Sequence, residues 1–187
     1  MCQTLPEFKK IKPSKIVISS TPSRTTGKGG LWACLLPLRF ENGKRVTYQR
    51  RHKIREKHLI RIPCPKLKKQ KPKADEFYLY YLYLSTPRFY NLSASEKLET
   101  LVHELYHINP GFNGDLRRFP GKNTMHGRSI KAYDQRIASL TQLYLKRARR
   151  REALSLLSLN HKDLLRAYGE IRFPRFREPE QNITQMG

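Results

Sequence analysis

The segment from Ser93 to Gly111 constrains this chain more than any other. Ser93-Ala94-Ser95-Glu96 has the spacing of a capping box, in which a serine side chain and a glutamate three residues later each satisfy an amide at a helix start. Leu98, Leu101, Val102, Leu105 and Ile108 then recur at helical intervals, and Asn109-Pro110-Gly111 stops the run. The spacing predicts one amphipathic α-helix that buries a leucine-rich stripe. At about 100° per residue, His103 and His107 fall opposite that stripe and Glu104 falls on the flank between. A histidine that only fills a core would lie within the stripe, and neither of these does.

Residues 103 to 107 read His-Glu-Leu-Tyr-His, a complete H-E-x-x-H. Residues four apart stack on one helical face, so two imidazoles at this spacing can share one tetrahedral zinc ion. The intervening Glu104 reaches a metal less easily but can accept a proton from a water activated there. A catalytic zinc takes three protein ligands and keeps one position open. Candidates for the third ligand are Asp115, His126, Asp134 and His161. His126 is the histidine nearest the helix in sequence. Asp115 is a ligand, a partner that orients an imidazole through its other nitrogen, or a turn residue tied to Arg117 or Arg118.

Around this helix the chain reads as strands first and helices after. Lys15-Ile16-Val17-Ile18-Ser19 is a β-branched run, and Thr21 to Gly30 is rich in turn residues. Leu31 to Phe40 leads into Asn42-Gly43, a tight-turn dipeptide, which predicts a hairpin returning through Arg45 to Tyr48. Pro37 would place the first of these strands at a sheet edge or a bulge. His58 to Pro63 is a further candidate strand, and Phe77 to Leu84, apolar and aromatic throughout, predicts a central strand. Ser129 to Arg151 has helical periodicity, and Leu154 to Leu165 predicts one more helix. Residues 1–14 are expected to be a flexible basic arm, 15–168 a single domain and 169–187 a tail.

The charge is lopsided. Lys and Arg number 38 against 15 Asp and Glu, a formal net charge of +23, which predicts attraction to polyanions, DNA or RNA before anionic membrane. The density peaks between Lys44 and Lys73 and again before Arg151, giving Arg50, Arg51, Lys53, Arg55, Lys68, Lys69, Lys71, Arg149, Arg150 and Arg151 as candidate phosphate contacts. No apolar run is long enough for a membrane span, and the start of the chain lacks the apolar stretch of a secretory signal. Three widely spaced cysteines form no C-x-x-C pair, which argues against a disulfide scaffold and for a reducing cytoplasm.

The run from Phe77 through Tyr133 resembles the phage metallopeptidase family of H-E-x-x-H domains. The resemblance is carried by Glu96-Lys97-Leu98, His103-Glu104-Leu105-Tyr106-His107-Ile108, Pro110, Phe112, Gly114-Asp115-Leu116-Arg117-Arg118-Phe119 and His126. One departure is Gly127, where a small polar residue is expected. The resemblance implies an α+β, zincin-like fold in which a small sheet packs against the H-E-x-x-H helix and further helices follow. It implies one Zn2+ per chain held by His103, His107 and His126, with Glu104 as general base, in the cytoplasm of a bacterial or phage-infected cell. The expected activity is zinc-dependent hydrolysis of peptide bonds in a protein or peptide substrate, with nucleic-acid-associated proteins favoured by the charge. Arg117, Arg118 and Tyr133 are candidates to steady the oxyanion. The alternative expectation is a basic nucleic-acid-binding module whose zinc site is structural or vestigial.

Overall fold

A computed structural model describes residues 1–23, 30–38, 45–49, 52–56, 78–120, 123–148, 151–173 and 183–185. The strands are β1 (Ile16–Pro22), β2 (Ala33–Pro37), β3 (Arg45–Gln49), β4 (His52–Glu56), β5 (Tyr80–Thr86) and β6 (Ile183–Gln185). The helices are α1 (Ala94–Tyr106), α2 (Ile130–Arg147), α3 (Arg151–Ser158) and α4 (His161–Tyr168). The chain is therefore α+β, with a small mixed sheet in the order β1-β5-β2. As its sequence predicts, β5 is central: it runs parallel to β1 and antiparallel to β2, with Leu82 opposite both Ile18 and Leu35. Tyr80, Tyr81, Leu82 and Leu84 are all buried, because β5 is covered on both faces and has no reason to alternate. Pro37 ends β2, an outer strand, where a missing amide costs no ladder bond.

The predicted Asn42-Gly43 hairpin does not pair the strands on either side of it. β2 joins β5, while β3 pairs with β4 and β4 with β6 in a second sheet. Burial accounts for β2: Ala33 and Leu35 are core residues that pack with the apolar β5. The candidate strand His58–Pro63 lies outside the described residues.

The amino-terminal segment is not a loose arm. Short 3-10 turns at Pro6–Phe8 and Pro13–Lys15 fold residues 1–14 onto the core, where Leu5 is 1% and Phe8 0% exposed and Ile11 is buried with them. Glu7 accepts from Arg136 of α2 at 2.5 Å, adding an ion pair to that packing. Apolar residues at 5, 8 and 11 outweigh the lysines between them, which stay exposed. Nor is 169–187 uniformly a tail, since Ile183–Gln185 adds a strand to β4.

α1 starts as its sequence dictates. The Ser93 amide donates to Glu96 Oε2 at 2.8 Å and the Glu96 amide donates to Ser93 Oγ at 3.3 Å. Leu98, Val102 and Ile108 are buried, and Leu101 and Leu105 are partly so. α2 begins on a Ser129 cap and buries Tyr133, Ile137 and Leu140 against α1 and the core. Two helices occupy the place of the single one expected over 154–165, because Asn160 breaks the run and caps α4 by accepting from the Asp163 amide. Among the described residues no helix is long and apolar enough to cross a membrane.

Candidate metal centre

The face of α1 opposite its leucine stripe is not solvent-facing. α2 and the loop before it cover that side, so His107 and Glu104 are each only 8% exposed. The loop's course follows from local chemistry. After His107 the chain reverses through Asn109–Gly114, with Asn109 Oδ1 accepting from the Gly111 amide and Phe112 held at φ +54°. Buried Tyr80 fixes this turn from the sheet: its hydroxyl donates to the Asp115 carbonyl at 2.8 Å and accepts from the Gly114 amide at 3.0 Å. The Arg117 amide then donates to the His107 carbonyl at 2.6 Å, bringing the chain back beside α1.

A second turn delivers His126. Asn123 Oδ1 accepts from the Met125 and His126 amides, and the Gly127 amide donates to the Asn123 carbonyl. Gly127 sits at φ +75°, and a Cβ there would meet Phe119 only at ordinary contact distance. Backbone conformation, more than space, requires glycine where a small polar residue was expected.

These elements bring three imidazoles together. His107 Nε2 lies 3.0 Å from His103 Nε2, and His126 Nε2 lies 3.4 Å from the same atom. One ligand atom from each of the three falls within 4.8 Å of the others. Ligand nitrogens about 2.0–2.1 Å from a tetrahedral ion are spaced about 3.3 Å apart, so this donor set fits a metal. A hydrogen bond between two neutral imidazoles would account for one pair and leave the third ring's approach unexplained. Burial, then the proximity of His103, His126 and Arg117, pulls the His107 pKa down to about 3. Burial and His126 also lower that of His103, against the opposing charge of Asp134. Neutral rings with lone pairs turned inward are the form that binds metal.

Tyr133 backs the cluster. Its ring stacks on His107 at 5.7 Å between centroids and lies 5.1 Å from His103 and 4.8 Å from His126. Its hydroxyl is 3.5 Å from His107 Nδ1, the nitrogen facing away from the other imidazoles. Burial, then the neighbouring Glu104 charge, pushes the phenol pKa up, so the hydroxyl keeps its proton. Glu104 itself is raised to about 7 by burial, against a stabilising contribution from the Leu35 amide. It borders a cleft of about 540 Å3, together with His103, Asp134 and Trp32.

The other candidates separate cleanly. The Asp115 carboxylate is bound by both Arg118 (2.8 and 2.9 Å) and the Leu116 amide, so Asp115 is a turn residue tied to Arg118 and neither a ligand nor an orienting partner. Arg118 is exposed and paired with Asp115. Arg117 donates from Nε to the Tyr106 carbonyl and lies 4.1 Å over the Tyr106 ring, close enough to act on His107 and Tyr133. His161 packs on Tyr90 at the start of α4, and Asp134 lines the cleft without joining the ligand group. Of the basic candidates, Lys53 and Arg55 lie on β4 and Arg151 opens α3. Arg50, Arg51, Lys68, Lys69, Lys71, Arg149 and Arg150 lie outside the described residues.

Sequence reasoning did not single out Trp32 or Glu99, and it named Asp134 only as a candidate ligand, not as a wall of the cleft. Glu99 was within reach, because stepping back four residues from His103 along α1 lands on it. A scan against protein-family models and searches of curated proteins and of solved structures each return no match to this chain.

Proposed function

We propose that this chain is a zinc-dependent metallopeptidase of zincin-like fold, with His103, His107 and His126 holding the ion. The observation that supports this reading is the convergence of three imidazole nitrogens beside a buried carboxylate, Glu104, at the end of an open cleft. A structural zinc site is closed by four protein ligands, whereas the group among the described residues has three. Bound Zn2+ supplies Lewis acidity, which polarises a carbonyl and eases deprotonation of water.

The remaining work falls to the chain's own groups. Glu104, poised near neutrality, takes the proton of the attacking water on its carboxylate and passes it to the departing amine nitrogen. In the tautomer that carries its proton on Nδ1, His107 donates to the Tyr133 hydroxyl and turns its Nε2 lone pair inward. Tyr133 and Arg117 are the oxyanion candidates that lie against the imidazoles. β2, an outer strand of its sheet, borders the cleft at Ala33, where an extended substrate segment would lie alongside it. The test is Glu104→Gln: zinc content should stay at the wild-type level while proteolysis of a casein or peptide-library substrate falls at least ~100-fold. Proteolysis undiminished in that variant contradicts the assignment.

The net charge of +23 favours a second reading, a nucleic-acid-binding module with a structural or vestigial zinc site. The two readings join if the substrates are proteins bound to DNA or RNA.

A further inference from the structure

The cleft extends from Glu104 back along α1 toward its amino terminus. One wall is α1 with Glu96, Glu99, Thr100 and His103; the opposite wall is α2 with Asp134, and the third is the entry to β2 with Trp32. Among the described residues no lysine or arginine lines it, although the chain has 38 of them against 15 acidic residues. Glu96 is committed to the α1 capping box and Glu104 lies at the imidazole end, so among the described residues the carboxylates left along the cleft are Glu99 and Asp134. Arg88 lies at the rim, its guanidinium against Gly30. Carboxylates on a surface are ordinarily just solvated; these flank a formed cavity that ends on the imidazole cluster, so whatever occupies it lies next to the reacting centre.

We propose that this cleft is a subsite for a cationic side chain, lysine or arginine, of a peptide substrate, paired with Glu99 and Asp134 and packed along Trp32. Charged hydrogen bonds to two carboxylates and an aromatic wall are the complement of an ammonium or guanidinium group on an apolar stem. The term substrate rests on the peptidase reading, whereas recognition of the cation does not. The subsite also reconciles a strongly basic protein with basic, nucleic-acid-associated substrates: its surface repels them, and this cleft attracts them.

Trp32 is the only tryptophan in the sequence, so its fluorescence reports on this cleft. The full chain, with zinc and with chelator, would be titrated with acetylated, amidated pentapeptides that differ only in a central Lys, Gln or Glu. The Lys peptide should give a saturable change and bind at least ~10-fold tighter than the Gln peptide, and Glu99→Gln/Asp134→Asn should remove that preference. Bulk electrostatics works the other way, since a +23 chain attracts the Glu peptide, so a preference for Lys cannot arise from net charge. No saturable response to the Lys peptide, equal binding of all three, or an unchanged preference in the double variant overturns the proposal. Preference for Lys without any cleavage upholds the subsite while contradicting the peptidase reading. Cleavage without that preference does the reverse.

Discussion

Glu104 is the group on which the proposed chemistry rests, and its position accounts for its acidity. A carboxyl that is 8% exposed loses hydration it would have in the unfolded chain, and its pKa rises from 4.5 to about 7. With the folded value above the unfolded one, the folded state binds more protons between the two. The stability this group contributes is therefore full below pH 4.5 and is lost as pH rises through 7. His107 runs opposite, its depressed pKa removing stability as pH falls from 6.5 toward 3, but it titrates alike in wild type and in Glu104→Gln. The difference between the two metal-free proteins therefore isolates Glu104. In urea unfolding, Glu104→Gln should gain about 3 kcal/mol on the wild type between pH 4 and pH 8. A difference independent of pH would mean that the carboxyl is solvated.

At the scale of elements, α1 was legible because every signal along it agreed: cap, stripe, stop and the H-E-x-x-H. The central strand was equally plain, since Phe77–Leu84 has no polar face to expose. Pairing was less legible. A turn dipeptide at 42–43 is a local signal, and it lost to the non-local burial of Leu35 against Leu82. The amino-terminal segment misled for a related reason, its lysines being conspicuous and its three buried apolar residues few. Among the three clustered histidines, the 103/107 pair followed from helical spacing, whereas His126 required a loop whose path depends on Tyr80, Asn123 and Gly127. Lys97 was invisible to pattern reading. It is 1% exposed on α1, and its Nζ donates to the carbonyls of Leu157 and Leu159 at 2.8 and 2.7 Å, tying the end of α3 to α1. Lys97→Met keeps the apolar stem and leaves both carbonyls without that donor, which should cost about 1–3 kcal/mol and speed amide exchange through α3 and α4. Unchanged exchange there would show that the tie is dispensable.

For the whole molecule, charge and chemistry point to a basic protein with an acidic cleft. If the surface engages nucleic acid, affinity for DNA should fall steeply with salt as neutralised phosphates release counterions. Measured by fluorescence anisotropy, the log-log slope should be several units, and a flat dependence would remove the polyanion from the account. The metal centre stands apart from that question, and the most direct test of it is zinc per chain. Mass spectrometry of protein purified without a metal-affinity tag should find one zinc in the wild type and none in His107→Ala, with His126→Ala binding it more weakly. A wild type that takes up no zinc when it is offered, or a His107→Ala variant that keeps it, would contradict the three-histidine site on which the proposed function rests.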